Sequence, residues 1–87
     1  QDFLGMVLDY DKDTNIATIE QRNYFKKGDN VEIFGPNHGI INYTFDKIYD
    51  EDGNIIDVVN HPKQIVKIEI LENIDKDDMI RINVNEK

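Results

Sequence analysis

Apolar residues recur along this chain in short alternating runs rather than at helical spacing, and each run ends in a cluster of turn-forming residues. In FLGMVLDY, from Phe3 to Tyr10, Leu4, Met6, Leu8 and Tyr10 fall on one face of an extended strand; Phe3, Gly5, Val7 and Asp9 fall on the other. Asp11 to Asn15 carries side chains that bond their own backbone in tight turns, and Ile16 to Gln21 resumes β-type residues, which predicts a hairpin. Phe25 to Asn30 reads as a turn with its flexible residue at Gly28, followed by a strand over Val31 to Phe34 that Gly35-Pro36 breaks. Ile40 to Tyr49 alternates again, with Ile41, Tyr43 and Phe45 sharing a face, although Thr44 to Tyr49 also admits a short helix. Asp52-Gly53 marks a tight turn before a return strand over Ile55 to Val59, and Asn60-His61-Pro62 then interrupts pairing. Strands over Ile65 to Leu71, with Val66, Ile68 and Ile70 on one face, and Met79 to Val84 complete the series.

This spacing predicts an all-β domain: a small closed or partly open β-barrel of six to seven mostly antiparallel strands, with residues 1–87 forming one unit. One internal echo stands out. Phe25-Lys26-Lys27-Gly28-Asp29-Asn30-Val31 and Ile74-Asp75-Lys76-Asp77-Asp78-Met79-Ile80 share an apolar residue, Lys two later, Asp four later and an apolar residue six later. The expectation is one kind of turn used twice, its Asp accepting backbone N–H groups and its apolar ends pointing inward.

Composition supports the β assignment and narrows the chemistry. There are 14 Ile and 6 Val against 3 Leu and 1 Ala, a bias toward residues that fit a pleated sheet. With no Ser and no Cys among 87 residues, Ser–His–Asp and Cys–His nucleophiles, disulfides and cysteine zinc sites have no candidates. A net charge of -8 opposes stand-alone binding to a phosphate backbone or an anionic membrane, so no membrane partner is expected. No catalytic residue, metal ligand or cofactor is expected in this segment.

Three constellations need weighing. Asp9, Asp11, Asp13, Asn15 and Glu20 reproduce the ligand spacing of a twelve-residue calcium loop, but Thr14 stands where that loop needs glycine, and strands rather than helices flank it. The two histidines, His38 and His61, form no zinc signature. The basic residues Arg22, Lys26 and Lys27 interleave with Tyr24 and Phe25, and Arg22, Tyr24, Lys26, Lys27 and Arg81 are the candidate substrate or RNA contacts, because cations beside exposed aromatic rings hold phosphates and stack bases. The simpler reading makes Tyr24 and Phe25 caps of the core with the lysines on an exposed turn.

The strings DFLGMVLDYDKDTNIATIEQRNYFKKGDNVEIFGP, NHPKQIVKIEI and DDMIR resemble the C-terminal domain of the "unknown-type thirty-two", collagenase-like peptidase family, from Asp2 to Arg81. The most specific pieces are Glu20-Gln21-Arg22-Asn23, Gly28-Asp29 before Val31-Glu32-Ile33, and His61-Pro62. Two departures are a glycine-poor Pro36-Asn37-His38-Gly39 and Asp77 in place of the family's usual glycine. The resemblance implies a barrel like the second domain of translation elongation factors, appended to a large α/β-barrel that carries the chemistry. Members of the family are associated with prephenate-dependent 5-hydroxylation of the tRNA wobble uridine, in some cases with an iron–sulfur cluster that this cysteine-free segment cannot hold. The resemblance, with Gln1 rather than Met at the start, implies a cytoplasmic C-terminal accessory domain, monomeric by itself. Its partners would be the parent's catalytic domain and, through the parent, tRNA.

Overall fold

The computed structural model describes residues 3–83, all of them in strands, turns or connecting segments. Six strands have four or more residues: β1 (Phe3–Asp11), β2 (Ile16–Gln21), β4 (Asn30–Gly35), β5 (His38–Thr44), β9 (Ile65–Glu69) and β10 (Met79–Ile82). Four short ones, β3 (Phe25–Lys26), β6 (Ile48–Tyr49), β7 (Ile55–Ile56) and β8 (Val58–Val59), have two residues each. All pairings are antiparallel, in an eight-stranded sheet of order β5-β4-β10-β1-β2-β9-β6-β7 and a β3-β8 ribbon.

The sheet curls strongly. β5 and β9 are five strand spacings apart, which is about 24 Å across a flat sheet. Yet Tyr43 Oη on β5 donates a 2.9 Å hydrogen bond to Glu69 O on β9. The concave side holds one core that includes Leu4, Val7, Ile19, Phe25, Val31, Phe45, Ile68 and Ile80. Phe25 and Phe45 stack within it, with ring centroids 4.6 Å apart. The result is a partly open barrel, with β5 along one edge and the short β7 at the other.

The two copies of the sequence echo have one backbone. Asp29 Oδ2 accepts Lys26 N at 2.9 Å, and Asp78 Oδ2 accepts Asp75 N at 2.8 Å. Asp29 N donates to Lys26 O, and Asp78 N to Asp75 O, both at 3.2 Å. Gly28 (φ 92°) and Asp77 (φ 74°) occupy the same left-handed position. Each turn also docks on a buried partner in the same way: Gly28 N and Asp29 O bond Phe45 O and N, while Asp77 N and Asp78 O bond Val7 O and N. β4 and β10 lie side by side, and Glu32 pairs with Arg81, the residue that holds its own place in the second copy. A local twofold axis therefore passes between Glu32 and Arg81 and relates β5 to β1.

Three expectations are corrected. The faces of the first strand do not alternate simply, because register shifts at Phe3/Gly5 and Val7/Asp9 let Leu4 and Val7 both point inward while Met6 stays half-buried. Thr44 to Tyr49 forms no helix. Strand pairing stops after Thr44, where the Phe45 backbone bonds to the Gly28-Asp29 turn, and resumes at Ile48. The return strand splits at Asp57, whose carbonyl accepts Lys27 N at 2.8 Å and binds the β3-β8 ribbon into the wall. Within the last strand, Val84 lies outside the described residues.

Candidate functional site

The five basic and aromatic candidates divide into two places, and three of the four cations are already paired. Arg22 follows β2; its Nε lies 3.0 Å from Glu20 Oε1 and its guanidinium sits 5.8 Å from the Phe3 ring centre. Arg81, the register partner of Phe3, bonds Glu32 Oε1 at 2.8 Å and lies 4.7 Å over Phe34. Phe3 thus has Arg22 over its ring and Arg81 opposite it in the sheet, each arginine matched by a carboxylate. Lys26 and Lys27 lie instead at the first turn beside β8, where Lys26 Nζ bonds Asp29 Oδ1 at 2.8 Å and Lys27 has an exposed side chain. The Asp29 contact raises the Lys26 pKa above its ordinary value.

Phe25 is wholly buried, as a core cap should be, whereas Tyr24 is 54% exposed and leaves the core. The Glu20-Gln21-Arg22-Asn23 string proves to be a clasp. Gln21 is buried and its Nε2 donates to Val59 O at 3.3 Å, Arg22 N and Asn23 N both donate to Leu4 O, and Asn23 Nδ2 donates to Phe3 O at 2.6 Å. These residues tie β1, β2 and β8 together.

The calcium-like spacing does not gather its oxygens. Asp11 Oδ1 accepts the backbone N–H groups of Asp13 and Thr14, Asn15 adopts a left-handed φ of 62°, and Glu20 sits at the far end of the hairpin, opposite Met6. Asp50 does the same turn work, its Oδ1 accepting Asp52 N and Asn54 N at 2.9 Å.

Sequence reasoning missed one cluster. His38, Asp75 and Asp78 place ligand-type atoms within 4.8 Å of one another, the one such group among the described residues. His38 Nε2 faces Asp78 Oδ2 at 2.6 Å and Nδ1 faces Gly39 O at 2.6 Å. Two acceptors on two ring nitrogens suit the protonated imidazolium. The pKa is raised, first by the Asp78 hydrogen bond and then by the Gly39 carbonyl. Asp78 is fully buried, and its Oδ1, without a partner, packs so tightly on Gly35 that a Cβ there would collide with it. With both His38 nitrogens engaged, the geometry is that of a clasp holding the β4-β5 connection onto the second turn. Forty positions separate the pair, so no local spacing could have revealed it.

A groove of about 360 Å³ was also missed. It runs between the end of β5 and the end of β9, lined by Tyr43, Thr44, Asp46, Lys47, Glu69, Leu71 and Glu72. Burial, with the carboxylates of Asp46 and Glu69, pushes the Tyr43 hydroxyl up to about 12, so it stays a donor to Glu69 O. Leu71 is 72% exposed at the groove.

Comparison with known proteins adds to this geometry. The model of the peptidase family U32 C-terminal domain matches residues 1–81. The tRNA hydroxylation protein P1 of Bacillus subtilis (strain 168) is 50% identical over 80 residues, which are 92% of this chain but 19% of that protein. The crystal structure of the C-terminal domain of a U32 peptidase from Geobacillus thermoleovorans superposes with a TM-score of 0.89 at 45% identity, covering 94% of this chain and 92% of that one. Its selenomethionine variant gives 0.88 at 46% identity, covering 93% and 99%. The chain spans about a fifth of the length of the curated relative.

Proposed function

The chain belongs to the peptidase family U32 C-terminal domain family, and from that premise we propose that it is a non-catalytic accessory domain of a cytoplasmic protein that hydroxylates tRNA. Its work is to pack against the larger catalytic part or to help that part hold its substrate. The observation that carries this reading is the 50% identity spread across 92% of this chain yet confined to 19% of a tRNA hydroxylation protein. The side chains support it. Among the described residues the clustered polar groups are taken up by turns, clasps and ion pairs, and the sequence contains neither Ser nor Cys to serve as a nucleophile.

The test is tRNA hydroxylation measured by mass spectrometry of tRNA from cells that carry the parent protein, the parent without this domain, or this domain alone. The reading expects loss of hydroxylated uridine without the domain and none from the domain alone. Hydroxylation or peptide cleavage by the isolated domain would overturn it, as would undiminished modification by the shortened parent.

A second reading keeps the Arg22, Tyr24, Lys26, Lys27 and Arg81 surface as an RNA contact of the parent, on the observation that Tyr24 is 54% exposed next to the turn that carries Lys27. Reversing both lysine charges in the parent should weaken tRNA binding and flatten its salt dependence. Unchanged binding would leave the patch a structural turn.

A further inference from the structure

The local twofold axis makes a demand at the edge of the sheet. It relates β5 to β1, and β1 carries β2 along its far side, with Met6 opposite Glu20 and Gly5 opposite Gln21. The corresponding side of β5 has no strand among the described residues. Phe45 N donates to Asp29 O, which sets the alternation: Ile41 and Tyr43 turn their backbone groups toward β4, and Ile40, Asn42 and Thr44 turn theirs away. Thr44 holds the place of Met6, whose backbone groups face β2. The 360 Å³ groove opens beside Tyr43 and Thr44, where the twofold counterpart of β2 would run.

We propose that this edge is a docking site for an extended, basic polypeptide segment, which adds a strand to β5 as β2 adds one to β1. The charge of the site selects the occupant. Asp46, Glu69 and Glu72 line the groove against Lys47 alone, in a domain of net charge -8. Backbone pairing to Ile40, Asn42 and Thr44 supplies affinity, and alternate side chains supply selection. Apolar side chains of the segment meet Leu71, 72% exposed, and Ile40, 55% exposed, while its Lys or Arg side chains meet the three carboxylates. The proposal rests on the sheet and not on the function proposed above, and it holds whichever reaction the parent performs.

The test is an NMR titration of the isotopically labelled 87-residue chain with an acetylated, amidated octapeptide of alternating lysine and valine. The expected result is shift changes confined to Ile40–Thr44 and Glu69–Glu72, saturating at submillimolar peptide. An octapeptide of alternating glutamate and valine should leave the spectrum unchanged. Thr44→Pro removes an outward N–H and spares the backbone ladder to β4, losing there only the Thr44 hydroxyl bond to Asn30 Oδ1, which Thr44→Val removes by itself as the control. Thr44→Val should not weaken binding, whereas Thr44→Pro should weaken it about tenfold or more. The pair Asp46→Lys and Glu72→Lys, at surface positions that do not threaten folding, should do the same. Four outcomes overturn the proposal: no shifts, shifts elsewhere, equal binding of the glutamate peptide, or folded Thr44→Pro or paired lysine variants that bind like the parent sequence. Concentration-dependent self-association through β5, seen by sedimentation, would overturn it in favour of a second copy as the occupant.

Discussion

The turn from Phe25 to Val31 and the turn from Ile74 to Ile80 share their hydrogen bonds, their left-handed residue and their docking on a buried strand residue, yet they are embedded differently. In the first, the Asp29 carboxylate remains 16% exposed and holds a solvated lysine. In the second, Asp78 is fully buried and holds a histidine from another strand. Local sequence therefore specifies the turn, while its surroundings decide how much depends on it. The same carboxylate-to-backbone bond is a surface detail in one place and part of a buried clasp on the β4-β5 connection in the other.

The sharpest way to break this comparison is to remove each carboxylate. Asp78→Ala leaves Asp75 N and the His38 imidazolium without their acceptor in a dry site, and should cost about 2–4 kcal/mol. Asp29→Ala loses the matching backbone bond where water can replace it, and should cost about 1 kcal/mol. Urea unfolding at constant m-value measures both. Equal losses would mean that embedding contributes nothing.

A smaller effect should come from the left-handed position. Gly28→Ala meets no neighbour within 4 Å, so its cost is conformational, about 1 kcal/mol. Asp77→Gly relieves a φ of 74° and should raise stability by about 0.5 kcal/mol, after the added freedom of glycine in the unfolded chain. Opposite signs in thermal melts would confirm that the two turns share one backbone. A loss at both positions would refute it.

The smallest effect is the pH dependence, and it separates the copies. Because the folded pKa of His38 is raised, the clasp is complete below the unfolded value of about 6.5 and is lost as pH rises through the folded pKa. The lysine of the first copy, itself shifted upward, titrates only in strong alkali. Stability should therefore fall as pH rises from about 6.5 through the raised folded value, and His38→Gln should remove that fall. A slope that survives the substitution would assign it to another group.

Much of the fold was legible because its determinants are local. Alternation at Val31/Ile33 and Val66/Ile68/Ile70 placed two core strands, Asp52-Gly53 placed a hairpin turn, and the echo placed the twin turns. What escaped depends on contacts distant in sequence. The Val7/Asp9 register shift in β1 falls where the second turn bonds Val7, and the break after Thr44 falls where the first turn bonds Phe45. The candidate patch was read by residue type, but type alone does not show that Glu20, Asp29 and Glu32 stand beside three of its cations. The groove at Tyr43 was hidden for the same reason, since it lies between segments that only the curl of the sheet brings together.

Glu32 and Arg81 face each other across the local axis, and a position that meets its own counterpart is the one place where two identical halves fail. A repeat with glutamate in both copies would set two carboxylates side by side, and one with arginine would set two guanidiniums, each a repulsion across neighbouring strands. Opposite charges at that point require the halves to differ. The Glu32–Arg81 pair is thus a mark of individuality: it lets one continuous chain build both halves of the sheet about their shared axis, and it sets a penalty on a homodimer of either half alone.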